Sequence, residues 1–207
     1  MLDKKVILVG YSGHGIIVAD VAQEKRWKII GYAEKKEVLF NPFNLKYFGQ
    51  EMDDNFFASH DPLEYILGIG NNYIREKIFT YFRGNNKQIP TLISSSANIS
   101  NSVKIGNGVF VNKNVSVNAF VKIGDNVILN TGCIIEHGCE IQNHVHIAPG
   151  AVLAGNVIVG RRSFIGANSV IKEGVVIGND VIVGAGSVVI KDIPSKKKIV
   201  GNPTKFI

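Results

Sequence analysis

Between Ile99 and Val189 an aliphatic residue stands at every sixth position without a slip: Ile99, Ile105, Val111, Val117, Ile123, Leu129, Ile135, Ile141, Ile147, Leu153, Val159, Ile165, Ile171, Ile177, Val183 and Val189. A helix repeats its buried face about every 3.6 residues and a strand about every 2, so neither selects one position in six. A fixed six-residue period predicts a hexapeptide parallel β-helix. Each hexad supplies one short strand and one turn, three hexads close a triangular coil, and the aliphatic side chain points into the prism. Four residues after each aliphatic comes a second inward position, held by Val, Cys, Ala or Ser from Val103 to Ser187. These are small or β-branched side chains, as a narrow interior requires. Gly (Gly106, Gly124, Gly160, Gly166, Gly178, Gly184) or Asn (Asn112, Asn118, Asn130) often follows the aliphatic directly, and these types are expected to make the tight corners. The 18-residue coil shows in the repeats that begin at Ile105, Ile123, Val159 and Ile177, each an aliphatic followed by Gly. About five coils fit in this span, a prism roughly 24 Å long at about 4.8 Å between strands.

Before the prism the pattern changes. Lys5 to Gly10 reads as a short buried strand that runs into the turn Gly10-Tyr-Ser-Gly-His-Gly15, and Ile16 to Ala22 reads as a helix. Glycines between a strand and a helix let backbone amides approach a phosphate at the helix N-terminus. Trp27 to Ala33 reads as a second strand with Glu34 just past its end, residues 35–60 as irregular, and Tyr65 to Gly70 as a third strand. A helix follows from Asn71 to Phe82, capped by Asn71 or Asn72 and ended by Gly84. The expected organisation is a small Rossmann-like α/β domain over 1–83, a linker over 84–98, the β-helix over 99–190 and a C-terminal tail over 191–207. The fold class is mainly β.

No run of about 18 apolar residues is present, so no membrane-spanning helix is expected. The apolar run that ends at Gly10 is too short for a secretory signal and suits a strand, so a cytoplasmic location is expected. The two cysteines, Cys133 and Cys139, both fall on inward positions and read as buried fillers without a disulfide. The net charge of +6 is scattered apart from Lys196 to Lys198. No aromatic–basic motif points to nucleic acid, and the balance suits anionic small ligands.

The register also brings chemistry together. His137 lies two residues after Ile135 and Gly155 two after Leu153, 18 apart, on the same corner of adjacent coils about 5 Å apart. A neutral imidazole beside a backbone N–H is what acyl transfer needs: a proton acceptor and an oxyanion donor. The bland alternative makes His137 a solvated turn residue. Zinc held by His137, His144 and His146 is the competing chemistry, although His144, three residues after Ile141, reads as a surface group. With both cysteines inward, direct attack on a thioester is simpler than a covalent acyl-enzyme.

Taken together, Gly10 to Gly15, Gly70 to Arg75, Asn130 to His137, His146 to Gly150, Ala154 to Asn156 and Gly201 to Pro203 resemble one family across essentially the whole chain. It is the left-handed β-helix acyltransferases that N-acetylate nucleotide-linked amino sugars in bacillosamine, perosamine and viosamine biosynthesis, with the sialic acid O-acetyltransferases as relatives. The resemblance implies a homotrimer with acetyl-CoA as co-substrate between neighbouring prisms, no metal, and acetylation of the 4-amino group of a nucleotide-linked 4-amino-4,6-dideoxy sugar. It implies His137 as the catalytic base, with His146, Asn130 and Glu136 supporting it. His146, Gly155, Ala167 and Ala185 fall at the acetyl-CoA site, and Gly10, Ser12, Gly13, His14, Gly15, Glu34, Asn71 and Asn72 at the nucleotide-sugar pocket. The family usually carries Asp or Glu directly after the catalytic histidine, where this chain has Gly138. Sugar O-acetylation is the runner-up. The histidine spacing does not resemble the zinc-dependent γ-class carbonic anhydrases, and a nucleotide-sensing trimeric scaffold is the non-enzymatic alternative. Lys196 to Lys198 read equally as CoA-phosphate contacts or as a solvated tail.

Overall fold

The computed structural model describes residues 4–53, 56–60 and 63–207. The start of the expected N-terminal domain (1–3) and positions 54 and 55 of the expected irregular stretch lie outside the described residues, as do 61 and 62. The chain divides into two compact units, Met1–Leu92 and Ile93–Ile207.

The first unit is a three-stranded parallel sheet with helices. Strand β1 (Lys5–Val9) is central, flanked by β2 (Lys28–Ala33) and β3 (Glu64–Leu67), in the order β2-β1-β3. Val6 to Val9 have no exposed surface, as expected of a central parallel strand. Helix α1 (Gly13–Glu24) follows β1 and α3 (Asn72–Gly84) follows β3. The Asn71 Oδ1 accepts the Ile74 N–H at 3.0 Å, so Asn71 is the cap. A one-turn helix, α2 (Phe56–Ser59), lies inside the stretch expected to be irregular. Phe56 buries there against Tyr65 and Phe82, with ring centroids 6.1 and 6.4 Å away.

The second unit is a parallel β-solenoid of about six turns. As far as Val188–Val189 its rungs are two-residue strands, and up to Val170–Ile171 they pair with the strand 18 residues on. Ile128–Leu129 pairs with His146–Ile147, Ile134–Ile135 with Val152–Leu153, and Glu140–Ile141 with Ile158–Val159. The three faces are named here for Leu129, Ile135 and Ile141. The aliphatic series is fully interior from Val111 onward, as is the second inward series from Val109. Where that series turns polar, its hydroxyls are satisfied: Ser163 Oγ donates to Gly178 O at 2.6 Å and Ser169 Oγ to Gly184 O at 3.0 Å.

The corners differ from expectation in an instructive way. The glycines that directly follow the aliphatic do not adopt positive φ. A Cβ on Gly106 would lie 2.5 Å from Asp125 Oδ1 and 2.8 Å from the Gly124 carbonyl carbon, so that position needs glycine for close stacking of coils. The left-handed residue comes two positions later. From Gly108 to Gly186 every sixth residue has a φ between +54° and +71°. Gly, Asn, Asp and His fill most of these sites, as sterics dictate.

Both ends of the prism also extend beyond expectation. Ile93 and Ala97 occupy the two inward positions one hexad before Ile99 and pack on the core, and Ser94 N–H donates to Val111 O at 2.9 Å. The serines of this hexad resemble a linker, but their register is that of the prism. At the other end Lys198–Val200 pairs in parallel with Ile182–Val183, and Lys205–Phe206 folds back antiparallel on it. The expected tail is thus partly structured.

Leu129 has no exposed surface and is surrounded by the other core aliphatics. Leu129→Ala is expected to destabilise the prism by about 2–5 kcal/mol, measured by urea unfolding. A loss under about 1 kcal/mol would mean that the interior collapses around the deletion.

Candidate active site

The first unit places its Gly-rich turn at a topological switch point. In the order β2-β1-β3 the chain reverses direction between β1 and β3, and ligands of such sheets sit at that switch point beyond the carboxyl ends of the strands. The Gly-rich turn after β1 and the Gly68-Ile-Gly70 turn after β3 meet there. Gly10 has a φ of +85°. A Cβ on Gly15 would collide with Gly10 O, and one on Gly68 would lie 2.5 Å from Gly15 Cα. Gly13, by contrast, has nothing within 4 Å of a built Cβ, so it faces open space at the start of α1. Ser12 precedes α1 without capping it through its side chain. These features leave amides at a helix N-terminus beside open space, the setting for an anion.

Other expected pocket residues are fixed by local bonds. Glu34 Oε2 accepts the Tyr11 N–H at 3.1 Å and Oε1 the Lys35 N–H at 3.0 Å, so this carboxylate braces the Gly-rich turn from the end of β2. The Asn71 side chain caps α3, and Asn72 opens that helix. His14 sits half-buried near Gly70, its Cβ 3.7 Å from a Cβ built on that glycine. Burial first, and the charge of Arg75 second, lower its pKa from 6.5 to about 4. Sequence reasoning assigns Arg75 no role beyond closing the Gly70 to Arg75 motif. It is only 1% exposed, and its Nη1 donates to the carbonyls of Ile69 (3.2 Å) and Gly70 (3.1 Å). Burial lowers its pKa to about 9. Its helical spacing from Asn71 and Asn72 places it on the switch-point side of α3, but nothing in sequence distinguishes a buried arginine from a surface one.

In the prism the expected residues separate onto two edges. The edge after the Ile135 face carries Glu136, His137, Gly138 and Gly155. A Cβ built on Gly155 would lie 2.6 Å from His137 Cε1 and 2.7 Å from Nε2, so the imidazole rests directly on the glycine. His137 itself is exposed. Among the described residues the Gly155 N–H meets no acceptor. Elsewhere the same corner position is often capped by a side chain: Asp125 Oδ1 takes the Asn107 N–H at 2.7 Å and Asn130 Oδ1 the Thr131 N–H at 2.8 Å. Glu136 points to the coil below, where its Oε2 accepts from Asn118 Nδ2 at 2.9 Å. Gly138 has a φ of +68°, and a Cβ there would collide with Asn156 Oδ1. Glycine suits that corner sterically, and contact with Gly155 takes up one face of the His137 ring.

The other cluster lies on the Leu129 face and the edge that follows it. His146 is 7% exposed, with Phe164 edge-on to its ring at 5.1 Å. Asn112 Nδ2 donates to Asn130 Oδ1 at 3.0 Å, and Asn130 Nδ2 lies 3.3 Å from His146 Nε2. Backbone amides fix both asparagine orientations, since Lys113 N–H donates to Asn112 Oδ1 and Thr131 N–H to Asn130 Oδ1, each at 2.8 Å. Asn130 therefore offers its NH₂ to His146, which accepts at Nε2 and keeps its proton on Nδ1. Ala167 and Ala185 stack on this same edge, with Gly186 N–H donating to Ala167 O at 2.8 Å. In a triangular coil the Leu129 face is opposite the His137 edge, so one prism does not bring His137 and His146 together.

The remaining chemistry is inert. Burial pushes the Cys133 thiol up to about 12, and Cys139 Sγ donates to Ala154 O at 3.1 Å. His144, expected as a surface group, is instead buried at 5% exposed, because its Nδ1 lies 2.8 Å from the Asn126 amide nitrogen on the coil below. No three His, Cys, Asp or Glu side chains gather as a metal site among the described residues. A groove of about 490 Å³ runs along the Ile141 face past Lys104, Lys122, Glu140 and Arg161, but neither His137 nor Gly155 lines it.

Comparison with known proteins covers both units. The PglD N-terminal domain family matches residues 5–82, and the bacterial transferase hexapeptide family (six repeats) matches 102–137, 120–155 and 156–191. A perosamine N-acetyltransferase from Caulobacter crescentus, solved as a histidine-to-asparagine mutant with CoA and GDP-perosamine, is 31% identical over 98% of this chain and 96% of its own, with a TM-score of 0.91. The acetyltransferase domain of PglB from Neisseria gonorrhoeae, in complex with acetyl coenzyme A, is 30% identical over 99% and 100%, with a TM-score of 0.92. WeeI from Acinetobacter baumannii is 26% identical over 99% and 100%, with a TM-score of 0.87.

The first unit makes a prediction of its own. His14 is held neutral, so its NMR titration midpoint is expected at about 4 and not at 6.5. The unfolded chain binds that proton more readily, so His14 contributes stability above pH 6.5 that is lost as the pH falls toward 4. A midpoint between 6 and 7 would contradict the burial of this ring.

Proposed function

Because the chain belongs to the nucleotide-sugar N-acetyltransferases of the hexapeptide-repeat acyltransferase family, we propose that it transfers the acetyl group of acetyl-CoA to the 4-amino group of a nucleotide-linked 4-amino-4,6-dideoxy sugar. The observation that carries this reading is the His137 imidazole lying on Gly155 at an exposed edge of the prism. It offers a base and a backbone donor at one point. Related chains bind CoA with GDP-perosamine, or acetyl coenzyme A, which supports the choice of both substrates.

The amine lone pair attacks the thioester carbonyl carbon, forming the C–N bond. His137 accepts the proton that the nitrogen sheds, and the Gly155 N–H donates to the oxygen as it gains charge. The C–S bond then breaks, CoA leaves as the thiolate, and the proton on His137 passes to the sulfur. No protein nucleophile takes part, in keeping with the buried cysteines. The nucleotide diphosphate is held at the Gly-rich turn, with Gly10, Ser12, Gly13, His14 and Gly15 around it and Glu34, Asn71 and Asn72 framing the site. Acetyl-CoA as donor fits a cytoplasmic enzyme.

The two edges supply the argument for assembly. His137 and Gly155 stand on one edge, His146 on the Leu129 face and Asn130, Ala167 and Ala185 along the edge that follows it, so a site that uses both clusters is completed between copies. A C3 homotrimer does this: each prism presents its His137 edge to the His146 side of the next, and the ring closes.

His137→Ala or His137→Asn is expected to lower kcat by about 10²- to 10⁴-fold, the range of general-base catalysis, while acetyl-CoA affinity changes little. The acidic limb of the pH–rate profile should vanish with the imidazole. Retention of more than about a tenth of wild-type kcat, a loss below about 1.4 kcal/mol, would remove His137 from the base role.

A further inference from the structure

We infer that Phe120 is a specificity-determining residue that presents an apolar wall to the deoxyhexose of the acceptor, an inference that rests on the acetyltransferase reading above. Phe120 occupies the left-handed corner position of its coil with a φ of +61°. In the register from 108 to 186 every other non-glycine at this position is Asn, His, Arg or Asp. Asn, Asp and His adopt this conformation with the least penalty, and Arg162 is held there by its ion pair to Asp180 at 2.6 Å. Phe120 has neither justification. Within one copy Phe120 is 74% exposed, so its own coil gains almost no burial energy from the ring in return for a conformation that bulky residues avoid. A strained residue that fold stability does not explain points to function.

Its place says which function. Phe120 lies on the His137 edge, one coil before Gly138, and the coils are bonded there by Gly138 N–H to Ala119 O at 3.0 Å and by Phe120 N–H to Ser102 Oγ at 3.0 Å. Gly155, the proposed thioester-facing donor, is one coil after His137. A base that accepts a proton from the attacking amine lies between donor and acceptor. With the thioester on the Gly155 side, the acceptor sugar falls on the Phe120 side, about one strand spacing (roughly 4.8 Å) from the His137 coil. A hexose that lacks its C6 hydroxyl has an apolar methyl and C–H face, which an exposed phenyl ring contacts favourably and a hydrated hydroxymethyl group does not.

The test compares Phe120→Asn and Phe120→Tyr with the wild type, using a panel of nucleotide-linked 4-amino-4,6-dideoxyhexoses and their C6-hydroxylated counterparts. Phe120→Asn suits the left-handed backbone, so it should melt no lower than wild type and keep the same sedimentation mass. Its KM for the deoxy sugar should rise about tenfold or more, with the KM for acetyl-CoA unchanged and the preference for the deoxy sugar reduced. Phe120→Tyr keeps the ring and should stay close to wild type. Wild-type turnover with an unchanged sugar KM and preference in Phe120→Asn would overturn this inference alone. A fall in sedimentation mass would overturn it too, by assigning the ring to subunit packing. Absence of turnover of any amino sugar by the wild type would overturn the acetyltransferase reading, and this inference with it.

Discussion

The parallel hydrogen-bond ladder between coils is the constraint on which the second unit depends. It ties each rung to the one 18 residues away, as where Ile134 N–H donates to Ala151 O and Glu136 N–H to Leu153 O. Everything inside and outside the prism inherits that repeat. Inside, it stacks aliphatic on aliphatic into one continuous core. Outside, it stacks His137 on Gly155 and Asn112 on Asn130. A ladder of this kind holds backbone and side-chain positions without a deep pocket, so a catalytic group can stand on an exposed edge and still be placed by rigid elements.

Glycine plays two parts here, and they govern what the site can be. At the first corner position it allows adjacent coils to approach, and at the third it allows a left-handed turn. Gly155 plays neither: it has no positive φ, and its missing side chain is the space that the His137 ring fills. Gly138 belongs to the left-handed set. A carboxylate there would meet Asn156, so this chain seats its histidine by contact with Gly155.

Much of this was legible in the sequence because a period of six has few structural solutions. The inward series, the 18-residue coil and the stacking of His137 with Gly155 follow from counting alone. The α/β unit was legible from its strand–glycine–helix order, although β-strand and helix ends differed by a few residues. Other features were not. The serines around Ile93 have linker composition, and only register reveals the extra hexad. The close-packing glycines looked like turn glycines, because composition does not distinguish a missing Cβ needed for stacking from one needed for φ. The burial of Arg75 depends on the turn it braces, and the separation of His137 from His146 depends on which face each hexad joins.

The reaction proposed for the His137 edge is formation of an amide on a nucleotide-linked amino sugar. Its most direct test is to incubate the wild-type protein with acetyl-CoA labelled with ¹³C at the acetyl carbonyl and a panel of nucleotide-linked 4-amino-4,6-dideoxy sugars, and to read the product by NMR. A labelled carbonyl coupled to the proton of a C4 amide, formed in step with free CoA, is the result predicted. Label appearing only as acetate or as a sugar ester would contradict it.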